Sequence, residues 1–362
     1  MLDIDYEDVR HNLDAHFAEI EKSYLSGQIP PVPEEIDRAC TTVFASNTQA
    51  YREVLLGCVL ARLAKPQVNI RQPYVEQGEN AFSGRTLDER VVNPFLHSAQ
   101  IPSSKGPYLS VFRRNIQFDE STRGGLRDKH AYDAFLEILS YLEVQTGPRE
   151  AGQLLDHVLY RFLALREGAN IQIARLPRIS LSQYESLIPG LLSVPSGGRI
   201  PVVVIISMLK TISKVFRLEW TIESSEINVA DAATGAPGDI TVLDDGTPIM
   251  NLEVTERPVE ASRVQSTFRT KIATSGVADY LFMVDRRRLS ADAIEEAGKY
   301  FAQGYEINFV DICTWVLMCL ATLDATGRSE YNRQLTEQFQ SPDLPNAVKV
   351  GWNREVLKLT GT

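Results

Sequence analysis

The chain has 362 residues, 44% of them hydrophobic, and a formal net charge of −10 at pH 7. This is an ordinary globular composition with room for two domains. The negative charge argues against a protein that coats polyanions, although it leaves room for a local basic surface. No apolar run reaches the roughly 18 to 20 residues that span a bilayer, and the acidic start MLDIDYEDVRHNLDAHF is unlike a signal peptide, so we expect a cytoplasmic protein.

The first half of the chain is predicted to be mainly helical. Apolar residues recur at helical spacing in three stretches, and Lys65-Pro66 ends the first of them. These predicted helices cover residues 49–64, 129–144 and 149–167. The four cysteines lie singly in apolar stretches without CxxC spacing, which favours buried free thiols over a zinc site.

Residues 66–128 have a different character, because Gly, Pro and Ser interrupt them. Thr86 followed by Glu89 has the spacing of a capping box and predicts a short helix through Leu96. We expect a short strand around residues 109–118 and loops elsewhere.

Residues 193–200, SVPSGGRI, are the predicted linker, since Pro and a Gly pair interrupt both helix and strand. A long apolar helix at 202–216 follows, and then three strands precede an alternation of helices and strands. The order α-β-β-β-α-β-α-β indicates a mixed sheet flanked by helices, an α/β (α+β) fold. The predicted strands cover 219–227, 239–243, 249–256, 280–285 and 307–311, with helices at 259–274 and 290–303.

The stretch GDITVLDDGTPIMNLEVTERP, residues 238–258, places one acid at the head of a predicted strand and another near the end of the next. Because strand side chains alternate, Asp239 and Glu253 lie on the polar faces of their strands. A three-residue loop at 245–247 would place them opposite each other, whereas a two-residue loop would pair Asp239 with Leu252.

A pair of carboxylates in this arrangement predicts a metal site. Two carboxylates within about 4 to 5 Å repel each other unless a cation lies between them, and hard oxygen ligands suit Mg²⁺. Mg²⁺ beside a phosphodiester can activate water and stabilise the leaving oxygen. The spacing alone equally allows two solvated acids on a half-exposed hairpin.

Residues 201–285 resemble the PD-(D/E)xK nuclease superfamily, whose core is a helix, three antiparallel strands, a helix and a further strand. Pro237-Gly238-Asp239 stands at the Pro-Asp of the family with one glycine inserted, and Glu253-Val254-Thr255 stands at its Glu-x-Lys. The resemblance implies that Asp239 and Glu253 bind Mg²⁺. Thr255 departs from the family lysine, and we expect it to help orient the water or the phosphate.

The missing lysine leaves the third catalytic role open. Lys271 on the following helix and Arg257 on the same strand face are two candidates for the cation, and a solvated lysine at 271 is an alternative. Glu223 and Glu226 on the preceding strand could add a metal ligand, although surface glutamates are common.

Three blocks of the N-terminal half resemble bacterial type II restriction endonucleases, and in particular the SacI-like group: NAFSGRTLDERVVNPFL, SKGPYLSVFRRNIQF and RGGLRDKHAYDAF. The resemblance covers the whole chain and implies site-specific cleavage of double-stranded DNA by a homodimer. Residues 1–192 would recognise DNA and dimerise, and residues 193–362 would form the catalytic domain. A cognate DNA methyltransferase would complete the restriction-modification system without forming a stable complex.

Basic residues cluster in these blocks among glycines and serines, whose backbone N–H groups can approach phosphates, and arginine can read guanine. For each single residue the alternative is a surface salt bridge with a neighbouring acid. The predicted DNA-binding set is Arg85, Arg90, Lys105, Arg113, Arg114, Arg123, Arg127 and Lys129.

Two other functions remain open at this point. A repair or recombination nuclease of the same superfamily would read DNA shape instead of sequence. A non-catalytic DNA-binding protein on a degraded nuclease fold would also explain the missing lysine.

Overall fold

A computed structural model of the protein describes residues 4–112, 117–144, 147–224, 239–275 and 278–360. The chain forms two compact units, Met1–Asn170 and Ile171–Thr362. The predicted linker at 193–200 connects two helices of the second unit. In the part of the chain that the structure describes, we find no helix that combines the length and the apolar character needed to cross a membrane.

The first unit is built from helices around the helix Ala50–Ala64, whose residues from Ala50 to Ala61 are all buried. The predicted helices at 49–64, 129–144 and 149–167 are confirmed as the helices Ala50–Ala64, Lys129–Val144 and Pro148–Glu167. The helices are α1 (Tyr6–Leu25), α2 (Glu34–Ala45), α3 (Ala50–Ala64), α4 (Gly84–Leu87), α5 (Asn93–Ser98), α6 (Glu120–Arg123), α7 (Lys129–Val144) and α8 (Pro148–Glu167).

Two details of the 66–128 segment differ from prediction. A π-helical turn, Asp88–Val92, joins α4 to α5. The N-cap of α4 is Ser83 and not the predicted Thr86, and the Ser83 hydroxyl accepts the backbone N–H of Thr86. The segment Tyr108–Val111 is a 3-10 turn and not a strand. The Tyr108 N–H donates to Asp88 and its hydroxyl to a carbonyl of α4, so these groups hold the segment against a helix.

The second unit contains a five-stranded mixed sheet with helices on both faces, as predicted. Its helices are α9 (Leu181–Ser193), α10 (Arg199–Phe216), α11 (Ala261–Thr267), α12 (Ala273–Ser275), α13 (Ala291–Phe301), α14 (Ile312–Thr322), α15 (Ala325–Phe339) and α16 (Asn346–Lys358). Its strands are β1 (Trp220–Ser224), β2 (Ile240–Asp244), β3 (Thr247–Thr255), β4 (Asp279–Val284) and β5 (Glu306–Asp311).

The strands lie in chain order, with β1 to β3 antiparallel and β3 to β5 parallel. Strands β3, β4 and β5 therefore finish at one end of the sheet, where β2 begins; we call it the C-terminal end of the sheet. One face packs its apolar side chains with those of α10, and the other with those of α11 and α13. Glu253 points to this second face because it is in register with Phe282.

The hairpin between β2 and β3 reaches the expected register by an unexpected route. Its loop has two residues, Asp245 and Gly246, both with positive φ, so the predicted three-residue loop is wrong. Ile249 is the extra residue of a β-bulge that restores the parity. Ile240 consequently pairs with Leu252, so the two candidate acids, Asp239 before Ile240 and Glu253 after Leu252, are the adjacent pair.

Candidate active site

The two predicted acids meet at the C-terminal end of the sheet. Asp239 directly precedes β2, and its Oδ2 accepts the backbone N–H of Val254 at 2.8 Å. The side chains of Asp239 and Glu253 are 15% and 8% exposed. A pair of solvated acids on a half-exposed hairpin is therefore excluded, and each buried charge needs a partner.

Lys271 is a partner of both acids. Its Nζ lies 2.5 Å from Oε2 of Glu253 and 3.7 Å from Oδ1 of Asp239. The lysine belongs to a π-helical turn, Phe268–Ile272, between α11 and α12. Such a turn changes the angular position of the side chains that follow, and π-turns are frequent at functional sites. One ammonium thus contacts both carboxylates.

Two further residues hold Glu253, and neither was predicted. Arg263 on α11 donates from Nη2 to Oε1 at 3.0 Å, and the hydroxyl of Tyr280 on β4 donates to Oε2 at 3.0 Å. A signal was available for Arg263, because it precedes Lys271 by about two helical turns and so shares its face. Tyr280 is fully buried on an inward position of β4.

The environment moves the pKa values of the two acids in opposite directions. Burial raises the pKa of Asp239, and the charge of Glu253 raises it further. Burial also acts to raise the pKa of Glu253, but the hydrogen bonds from Lys271, Arg263 and Tyr280 outweigh it and lower that pKa. Glu253 therefore keeps its charge, while Asp239 gains from any additional cation.

Thr255 shares the buried polar face, and its hydroxyl accepts the backbone N–H of Arg257 at 3.1 Å. Strand β3 ends at Thr255, so the placement of Arg257 on that strand is wrong, and Arg257 is exposed. Glu223 lies on the outermost strand β1, exposed and opposite Thr241. Glu226 and the Pro237-Gly238 pair lie outside the described residues.

The carboxylate oxygens of Asp239 and Glu253 are the type of ligand that a hard divalent ion prefers. Asp239 and Glu253 offer carboxylate oxygens that one cation, the ammonium of Lys271, already contacts together. Mg²⁺ is commonly bound by one or two carboxylates and completes its shell with water. Within the described ranges, no group of three or more His, Cys, Asp or Glu side chains is placed to hold a metal.

The structure places the predicted DNA-binding residues in different environments. Arg85 and Arg123 form ion pairs, with Glu89 at 2.8 Å and with Asp133 at 2.6 Å, as the salt-bridge alternative expects. The guanidinium of Arg90 lies 5.6 Å from the ring centre of Tyr6. Lys105, Arg127 and Lys129 are exposed, and Arg113 and Arg114 lie outside the described residues.

Comparison with known families covers most of the chain. Residues 8–164 match the family model described as the SacI restriction endonuclease N-terminal domain. Residues 178–285 match the one described as the SacI restriction endonuclease C-terminal domain, and this match contains both acids and Lys271. A comparison with curated proteins gave no match.

Proposed function

This chain belongs to the SacI restriction endonuclease family and is a type II restriction endonuclease, and we propose that Asp239 and Glu253 bind Mg²⁺ for its cleavage of DNA. The observation that supports this is the contact of one ammonium with both carboxylates, because a centre that accepts one cation between two acids is suited to another. The family membership removes the support for the repair nuclease and for the degenerate DNA-binding protein.

Each residue of the centre then has a separate task. Bound Mg²⁺ would supply an activated water and stabilise the leaving oxygen. Lys271 neutralises charge that develops on the scissile phosphate. Thr255 can donate its hydroxyl proton to the water or phosphate while its oxygen accepts the N–H of Arg257.

Arg263 and Tyr280 position Glu253 and are not proposed to touch the substrate. They hold one carboxylate oxygen each, so the plane of the carboxylate is fixed before substrate arrives. Burial and the nearby Glu253 raise the pKa of Tyr280, so that its hydroxyl stays protonated and donates.

The proposal extends to the fold family, the oligomeric state and the roles of the two regions of the chain. We propose a PD-(D/E)xK core, which the strand order from α10 to β4 supports. A two-fold symmetric DNA site calls for two active sites, so a homodimer is proposed. Residues 1–192 would recognise DNA and dimerise, and residues 193–362 would cleave it. A cognate methyltransferase and a cytoplasmic location complete the proposal.

A digest tests this function directly. The purified enzyme is incubated with fully sequenced phage DNA and Mg²⁺, and discrete fragments are expected that disappear with EDTA. Asp239→Ala should abolish cleavage and keep DNA binding. Asp244→Ala, at the exposed far end of the same strand, is the control and should cut normally. Smeared products would contradict site specificity, and normal cutting by Asp239→Ala would contradict the site.

A further inference from the structure

The three arginines Arg286–Arg288, here named the arginine turn, are the longest uninterrupted basic run in a sequence of net charge −10. They form a 3-10 turn between β4 and α13, and all three side chains are exposed. Like charges in succession repel one another, and Asp285 offsets part of this repulsion by ion pairs with Arg287 and Arg288. We propose that the arginine turn binds phosphates of the DNA backbone beside the active site, an inference that rests on the proposed function.

The position of the turn supports this partner. Strands β3 and β4 are parallel, and Glu253 is in register with Phe282 and Thr255 with Val284. The arginine turn therefore begins two residues beyond the level of Thr255 and four residues beyond the level of Glu253. At a rise of about 3.3 Å per residue this is roughly 7 to 13 Å. One DNA strand presents about three phosphates over that distance.

The turn is fixed to the chain that leaves the active site. Arg288 donates from Nη1 to the carbonyl of Glu256, and its own carbonyl accepts the N–H of Val259 at 2.8 Å. The Arg286 N–H donates to Asp311 at 3.0 Å. Glu256 and Val259 follow Glu253 closely in the chain. A phosphate bound at the turn would consequently lie at a fixed position relative to Glu253.

The side chains keep donors for a ligand. Asp285 accepts from Nε and Nη2 of Arg287 at 3.0 and 2.8 Å, yet the Arg287 side chain remains 90% exposed. A guanidinium has five N–H donors, so this ion pair orients Arg287 without using them all. Three carboxylates interact with the arginines, those of Asp285, Asp311 and Glu256. Arg257, which follows Glu256 in the chain, is exposed.

Phosphate contacts depend on charge and carry no sequence information. The test therefore compares binding to two duplexes of different sequence and its dependence on salt. Arg286→Ala/Arg287→Ala is compared with the wild-type enzyme for binding to a duplex with the mapped cleavage site and to an unrelated duplex, with Ca²⁺ replacing Mg²⁺. Affinity for both duplexes should fall about tenfold, and the slope of log K against log[salt] should fall by about 2. The hydrogen bonds that use backbone N–H groups of the turn survive both substitutions.

Arg333→Ala is the matched control, since this exposed arginine on α15 also pairs with carboxylates. Its affinity and salt slope should equal those of the wild-type enzyme. Arg287→Ala alone serves if the double variant unfolds, and should lower the slope by about 1. If a folded variant keeps the salt slope of the wild-type enzyme, the proposal that the arginine turn binds DNA phosphates is wrong. Wild-type enzyme that fails to cut DNA overturns the proposed function instead, so the two failures are distinguishable.

Discussion

Lys271→Met should destabilise the metal-free enzyme and increase its stabilisation by a divalent cation. The substitution keeps a side chain of similar length and removes the ammonium that contacts both buried acids. Asp239 and Glu253 then repel each other with less compensation. A divalent ion relieves that repulsion, and it no longer competes with a resident ammonium.

The size of the effect follows from the remaining contacts. Glu253 keeps Arg263 and Tyr280, so it loses one hydrogen bond to a charged group, a loss of about 1.5 to 3 kcal/mol. The Lys271 side chain is 33% exposed, and solvent screening reduces the contribution. We expect the free energy of unfolding to fall by about 2 kcal/mol at pH 8. The lowered pKa of Glu253 means that this contribution is present above its unfolded pKa and is lost as the pH falls through the lower folded value.

Urea unfolding followed by circular dichroism, in EDTA and in Ca²⁺, measures both effects. Lys299→Met is the control, because Lys299 also pairs with a glutamate, Glu296, but is 67% exposed, so solvent screening should leave that pair a smaller contribution to stability. If Lys271→Met unfolds at the same urea concentration as Lys299→Met in EDTA, and shows the same shift with Ca²⁺, the ammonium does not balance the acids and the reasoning fails.

Two other substitutions test the same centre. Asp239→Asn should abolish cleavage and yet stabilise the metal-free enzyme at pH 8. Because burial raises the folded pKa of Asp239, its stabilising contribution is present below the unfolded pKa and is lost as the pH rises through the folded value. The variant's advantage in urea unfolding should therefore vanish towards pH 4. A variant less stable than wild type at pH 8 would contradict this sign. Tyr280→Phe removes one donor from buried Glu253 and should lower kcat with little change in KM, since Tyr280 positions a ligand and does not contact DNA; an unchanged kcat in a steady-state cleavage assay would remove that role.

The hairpin between β2 and β3 shows which features of the candidate site the local sequence could predict. The Asp-Gly pair predicts a two-residue turn with positive φ at both positions, and the pairing of the acids demands an odd number of residues between the strands. The structure satisfies both, because Ile249 forms a bulge. Pro248 was the available cue, since it cannot donate to the ladder and is tolerated in strands mainly at edges and bulges.

The choice of cation could not be made from the sequence. Both Arg257 and Lys271 fitted the pattern, and deciding between them required the end of β3 at Thr255 and the π-turn at Phe268–Ile272. Neither boundary has a periodic signature in the sequence. The ion pair of Arg85 with Glu89 is readable from its i,i+4 spacing on a helix, whereas that of Arg123 with Asp133 depends on tertiary packing.

The charges of the centre connect its stability to its chemistry. Asp239 and Glu253 contribute two negative charges, and Lys271 and Arg263 contribute two positive ones, so the buried group is balanced without a metal. Lys271→Met removes the ammonium that both acids contact, whereas Asp239→Asn removes a negative charge that burial and Glu253 disfavour, so the two variants should change stability with opposite signs in EDTA at pH 8. If both lose stability to the same extent, the hydrogen bond from Val254 to Asp239 and local packing outweigh charge at this site. Opposite signs would mean that the enzyme retains at Asp239 a charge that its fold disfavours, which is the expected property of a residue kept for a cation that binds later.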